Sequence, residues 1–264
     1  MILSYNYFGQ GAPLIILHGL FGSSDNWQSF AKSIADQYQV ITIDIRNHGN
    51  SSHVDDFDFD LIHHDLIETL NYIGIDRYDM MGHSMGGKAA MVHALHCRDQ
   101  VKKLIIIDIA PKAYPPHHEI YFNVMRSMDF DLISNRMQAD AWMQKDIADL
   151  AVRQFLLKNL IRDENNRFKW KFNLESLYKH YDEINVELKS EHPFTRPTLF
   201  IKGERSEYIK TNDESLIHDL FPHAEIITIM NAGHWVHADQ PIRLKEVVLD
   251  FLKKSIALQN ERTQ

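Results

Sequence analysis

The sequence predicts an α/β fold, a mostly parallel central sheet with helices on both faces and an inserted helical cap, and three observations predict it. Short apolar runs recur without alternation, segments of helical spacing separate them, and the rhythm stops after Asp108 and resumes near Pro193. Residues 14–17, 40–43, 78–81, 104–107, 198–201 and 226–229 are the apolar runs, rich in Ile and Leu. Runs of this kind suit strands buried on both faces of a parallel sheet. Residues 25–38 place Trp27, Phe30, Ile34 and Tyr38 three or four apart, and residues 61–73 and 85–96 have similar spacing, so each is expected as a helix. Strands alternating with helices imply crossover units. Residues 1–7 are expected as an antiparallel edge partner, and 242–254 as a final helix.

From Pro111 to Pro193 no buried-strand run occurs, and Val152, Phe155, Leu156 and Leu160 follow helical spacing. Residues 167–172 alternate as a short strand would. The expected division is a core of 1–110 and 194–264 and a cap of 111–193. Apolar cap residues such as Tyr121, Phe122, Met125, Met137 and Met143 then pack on one another or cover the strand ends. The tail after Leu258 is polar and expected to fray.

Composition narrows the function. The net charge of -8 lacks the basic footprint of a nucleic-acid binder or an anionic-membrane binder. No apolar run approaches about 18 residues, so no membrane insertion is expected. The only cysteine, Cys97, has no partner, and no arginine-rich or secretory apolar stretch stands before Tyr5, which leads to an expectation of a cytoplasmic location. Among sixteen histidines, the pairs His63-His64 and His117-His118 sit in polar surroundings without closed ligand spacing. They are expected as solvated side chains, with no metal site and no cofactor.

Gly82-His83-Ser84-Met85-Gly86 follows an apolar run and opens a run of helix formers. In that context the glycines leave room for a strained strand-to-helix turn that lifts Ser84 above the sheet as a nucleophile. Acyl transfer also needs a base, a group orienting it, and oxyanion donors. His234, directly after Gly233 in the loop beyond the last strand, is the candidate base, with His237 its rival. The acid in this architecture ordinarily follows the next-to-last strand, where this chain has Ser206. A hydroxyl cannot stabilise an imidazolium as a carboxylate does. Asp108, ending the run 104–107, is therefore favoured as the orienting acid, with Ser206 a supporting hydrogen-bond partner and Glu204 and Glu207 as alternatives. The backbone N–H groups of Met85 and Leu20 are the expected oxyanion donors, with Phe21 the second choice for the latter. His18 is expected to organise its loop.

Together His18-Gly19-Leu20-Phe21-Gly22, Arg46-Asn47-His48-Gly49, Gly82 to Lys88, Asp108-Ile109-Ala110-Pro111 and Gly233-His234-Trp235-Val236-His237 resemble the α/β-hydrolase superfamily, and within it the bacterial YbfF-type esterases. The YbfF likeness rests on Asn47 where most relatives carry glycine, on Asp108 to Pro111, and on Ser206. The resemblance implies an esterase or thioesterase with Ser84 and His234 in the triad, supported by Asp108 and Ser206. Its substrate would be a small acyl ester or acyl thioester, acyl-coenzyme A included.

Overall fold

The fold is that of a computed structural model, which describes residues 1–254; the expectation for the tail after Leu258 lies outside the described residues. In chain order the core begins with β1 (Tyr5–Phe8), β2 (Ala12–Leu17), α1 (Gln28–Ile34), β3 (Tyr38–Ile43), α2 (Phe59–Tyr72), β4 (Tyr78–His83), α3 (Met85–His96) and β5 (Val101–Ile107). Next come α4 (Glu119–Arg126), α5 (Arg136–Met143), α6 (Leu150–Leu157), β6 (Leu160–Arg162), β7 (Phe168–Trp170), α7 (Leu174–Lys179) and α8 (Tyr181–Ile184). The core then resumes with β8 (Thr198–Gly203), α9 (Glu214–Leu220), β9 (Ala224–Ile229), α10 (Val236–Asp239) and α11 (Pro241–Lys253).

Seven strands form one sheet in the order β1-β3-β2-β4-β5-β8-β9, and only β1 runs antiparallel to its neighbour. The unalternating runs are explained by their two-sided burial. Ile15 and Leu17 pack with Leu66, Leu70 and Met91 of α2 and α3, while Leu14 and Ile16 pack with Trp27, Phe30, Leu244 and Val248 of the α1 and α11 side. Successive residues of one strand thus feed opposite cores, which is the period of two expressed without a polar face.

Residues between Pro111 and Phe194 add no strand to this sheet and supply five helices and the β6–β7 hairpin. Phe122, Met125 and Met143 are fully enclosed, whereas Met137 is 79% exposed and covers nothing. Leu160, read at helical spacing, begins β6 because α6 ends at Leu157 and the chain enters a hairpin, where Asn159 O accepts from Lys171 N–H at 2.8 Å. Residues 25–38 are not one helix either. A 3-10 turn at Ser24–Trp27 precedes α1, which stops at Ile34, and Tyr38 pairs with Ala12 as the first residue of β3. Two histidines expected to be solvated are not: His63 lies on the inner face of α2 at 6% exposure, and His118 is half-buried against Tyr181. Among the described residues no helix is long and apolar enough to cross a membrane.

Candidate active site

Ser84 occupies the single residue between β4 and α3, with φ 54 and ψ -123. A side chain in that region is strained and persists only where surrounding packing enforces it. The enforcement is visible in the glycines. A Cβ on Gly82 would lie 2.2 Å from Gly86 O, and one on Gly86 would lie 2.3 Å from His18 O, so β4, the start of α3 and the loop after β2 approach too closely for any other residue.

The sheet brings the distant candidates to this point. His234, in the loop between β9 and α10, places Nε2 3.0 Å from Ser84 Oγ. Its Nδ1–H donates to Asp108 Oδ2 at 2.7 Å. Asp108 follows β5 with φ 53 and has a fully buried side chain. Gly203 N–H donates to its Oδ1 at 3.0 Å, and the Ser206 hydroxyl donates to its Oδ2. The carboxylate therefore accepts three donors, an arrangement that fixes its orientation and holds the imidazole tautomer with Nε2 bare toward Ser84. The alternatives lie elsewhere. Glu204 accepts from Asn231 N–H at 2.8 Å, Glu207 pairs with Lys210 at 3.0 Å, and His237 packs on Trp27 with ring centroids 4.7 Å apart.

The oxyanion candidates Leu20 and Met85 line one cavity with this serine. Met85 is the first residue of α3, where N–H groups have no intrahelical partner. Leu20 stands in the loop after β2, and Phe21 beside it has φ 58. His18 braces that loop: it accepts from Ile45 N–H at 3.0 Å through Nε2 and donates from Nδ1 to Gly19 O at 2.8 Å. Burial lowers its pKa, which keeps it neutral for that double role. From the cap, Asn159 Nδ2 donates to Phe21 O at 2.6 Å.

Several residues in contact with the triad carry no sequence motif of their own. Tyr208 stacks on the His234 imidazole with centroids 3.9 Å apart and planes at 16°. Its carbonyl accepts from Tyr114 OH at 2.6 Å, and its hydroxyl lies 2.5 Å from His117 Nε2. His83, forced neutral by burial, donates from Nε2 to the carbonyl of His234 at 2.8 Å. His118, just before α4, has Nδ1 2.7 Å from Tyr181 OH. Because that hydroxyl already accepts from the N–H groups of His117 and His118, it donates to Nδ1 and leaves His118 with an Nε2–H. Burial lowers the His118 pKa to about 3. Only the residue types hinted at these roles, since each depends on which loops the fold juxtaposes.

Two narrow cavities meet at Ser84. One, of about 40 Å³, includes His234, Phe21, Val152, Phe155, Leu156 and Trp235 in its wall. The other, of about 20 Å³, includes Met85, Lys88, Tyr114, His117 and Asn185 in its wall. Lys88, one turn after Ser84, donates to Val186 O at 2.5 Å, and burial lowers its pKa to about 7. A nucleophile, a base held by a carboxylate, unpaired N–H groups and a water-poor enclosure are what acyl transfer requires.

Comparisons with known proteins point the same way. The family profile described as alpha/beta hydrolase fold matches residues 12–241. The chain is 38% identical over 261 residues to the sn-1-specific diacylglycerol lipase ABHD11 of Mus musculus, covering 95% of this chain and 85% of that protein. It is 34% identical over 242 residues to esterase YbfF of Escherichia coli strain K12, covering 91% and 93% of the two. A solved structure titled marine microorganism esterase superposes with a TM-score of 0.92 at 39% identity, covering 95% of this chain and 99% of that one.

Proposed function

This chain belongs to the α/β-hydrolase family, among the YbfF-type ester hydrolases, and from that premise we propose that it cleaves short acyl esters or acyl thioesters through an acyl-Ser84 intermediate. The observation that carries the reading is the continuous array from Ser84 Oγ through His234 to buried Asp108. As the Ser84 hydroxyl attacks the acyl carbon, its proton passes to His234 Nε2, and the imidazolium is stabilised by Asp108. The carbonyl oxygen becomes an oxyanion facing the N–H groups of Met85 and Leu20. Collapse of the tetrahedral intermediate breaks the bond to the leaving alcohol or thiol, which takes the proton from His234. Water, deprotonated by the same imidazole, then releases the acid and restores Ser84.

The enclosure favours short acyl groups. Cavities of about 40 and 20 Å³ hold a few atoms on either side of Ser84, so longer chains require the cap to move. The thioester branch draws support from an open cap groove that includes Arg136 and Lys158 in its wall and could receive the phosphates of an acyl-coenzyme A. Arg136 also donates from Nη2 to Leu160 O at 2.5 Å, while Arg153 is buried against Asp140 and Arg126 pairs with Glu175.

Mixing with p-nitrophenyl acetate should give a burst of one chromophore per active chain, and the Ser84→Ala variant should give none. Mass spectrometry of the quenched reaction should find the acetyl group on Ser84; a burst with the acyl group elsewhere refutes the mechanism. A panel of p-nitrophenyl esters, diacylglycerol and acyl-coenzyme A, ranked by kcat/KM, decides between the branches. If thioesters lead, Arg136→Ala and Lys158→Ala should raise KM for acyl-coenzyme A and leave it unchanged for p-nitrophenyl acetate.

A further inference from the structure

We propose that His63, His93 and Cys97 form a binding site for a zinc-class divalent ion at the far end of the helix that Ser84 opens. His93 and Cys97 stand four residues apart on α3 and its C-terminal cap, hence on one face, and His63 reaches them from α2. The Nδ1 atoms of His63 and His93 are 3.0 Å apart. A ring nitrogen of each histidine and Cys97 Sγ all lie within 4.8 Å of one another, and all three residues are buried. In a tetrahedral zinc site, with Zn–N near 2.0–2.1 Å and Zn–S near 2.3 Å, the nitrogens stand about 3.3 Å apart and the sulfur about 3.6 Å from each. The imidazoles need to part by about 0.3 Å, and the sulfur, already within 4.8 Å of a nitrogen of each ring, to close by about 1 Å.

The surroundings of the trio suit ligation. His93 Nε2 is 2.5 Å from the Tyr78 hydroxyl, the kind of outer contact that orients a ligating imidazole. His96, exposed at the rim, packs its ring 4.7 Å from that of His63 and donates from Nδ1 to Val92 O. His96 stands outside the converging trio, so water fills the fourth coordination position. The proton balance closes. Without an ion, one proton is shared between the two facing Nδ1 atoms; on binding it moves to an Nε2 of the same neutral ring. The Cys97 thiol loses its proton to solvent as the S–metal bond forms, so one proton is released per ion. A donor set of two imidazoles and one thiolate selects zinc or cobalt over magnesium or calcium.

The site lies about 14–20 Å from Ser84 along α3 at about 1.5 Å per residue, so it ties α2 to α3 without touching the reaction centre. Its existence is therefore independent of the hydrolase reading. Chelator-treated protein is titrated with cobalt(II) chloride. One cobalt per chain should bind with a thiolate-to-cobalt charge-transfer band, and zinc chloride should erase it. Because Cys97 is the only cysteine, the band reports this site alone among sixteen histidines. Cys97→Ser should lose the band and the zinc-induced rise in Tm while p-nitrophenyl acetate hydrolysis stays unchanged. His63→Gln should weaken cobalt binding by roughly tenfold or more, as changes at metal ligands and their supports do. Folded wild-type protein without the band overturns the proposal, as does a band that keeps its affinity in His63→Gln; either result leaves the histidines as a hydrogen-bonded core array.

Discussion

Asp108 receives three donors, from Gly203, Ser206 and His234, on a fully buried carboxylate, and these contacts are not of equal weight. Asp108→Asn keeps the shape but presents an amide to His234 Nδ1, favouring the tautomer with Nε2 protonated toward Ser84. It should lower kcat by about 10³–10⁴ with little change in KM, as loss of the orienting carboxylate does in such triads. Ser206→Ala removes one hydrogen bond to a charged group and should cost about tenfold in kcat, since Gly203 and His234 remain. Steady-state kinetics on p-nitrophenyl acetate separates the two. Substitution at Glu204 or Glu207 should leave the rate close to wild type, as neither faces His234. Chemistry that requires a carboxylate made Asp108 legible in the sequence once Ser206 stood in the usual acid position. The Tyr208 ring on His234 and the His118 donor were not legible, because nothing local marks residues that meet only through the cap.

At the scale of elements, the junction of β4 and α3 is packed so tightly that its glycines act as spacers. Gly86→Ala would place a methyl 2.3 Å from His18 O and should destabilise by about 1–3 kcal/mol, read as a lowered Tm in calorimetry. Helix α3 was legible to the residue, whereas α1 was not. The former is bounded by Ser84 and by the buried Cys97, while the apolar spacing of 25–38 continued across a turn into Tyr38, which belongs to β3. Spacing reports which residues are buried and is silent on where one element yields to the next. Lys88 couples α3 to the segment after α8 through Val186 O. With its pKa lowered from 10.5 to about 7 by burial, folded and unfolded chains are both protonated below pH 7. Between pH 7 and 10.5 only the unfolded chain keeps the proton, so stability rises with pH across that window. Thermal unfolding from pH 7 to 10 should show this rise in the wild type and a smaller one in Lys88→Met.

For the molecule as a whole, acid should be the weak side. His83 is held neutral well below its ordinary range, with His118 near 3 and His237 near 4, each chiefly by burial. From pH 6.5 down to about 4 the unfolded chain takes up protons that the folded one refuses, so stability falls as pH falls, at about 1.4 kcal/mol per pH unit for each such group. Urea unfolding at pH 7 and pH 5 should show a lower midpoint at pH 5 with an unchanged m-value. The mostly parallel sheet flanked by helices followed from the sequence because the alternation of strands with helices is a long-range signal. The fine seam between insert and sheet did not, as with Asn47, whose φ of 63 and bond to Ser176 become meaningful only beside α7.

The Asn159 bond to Phe21 O joins residues 111–193 to the turn that holds Leu20, the proposed oxyanion donor. A lid raised to admit a bulky ester would therefore tug on the charge-receiving end of the reaction centre, so that admission and reactivity alternate in time. Asn159→Leu severs the tether: long esters should enter faster in stopped-flow traces, while each bound molecule turns over more slowly.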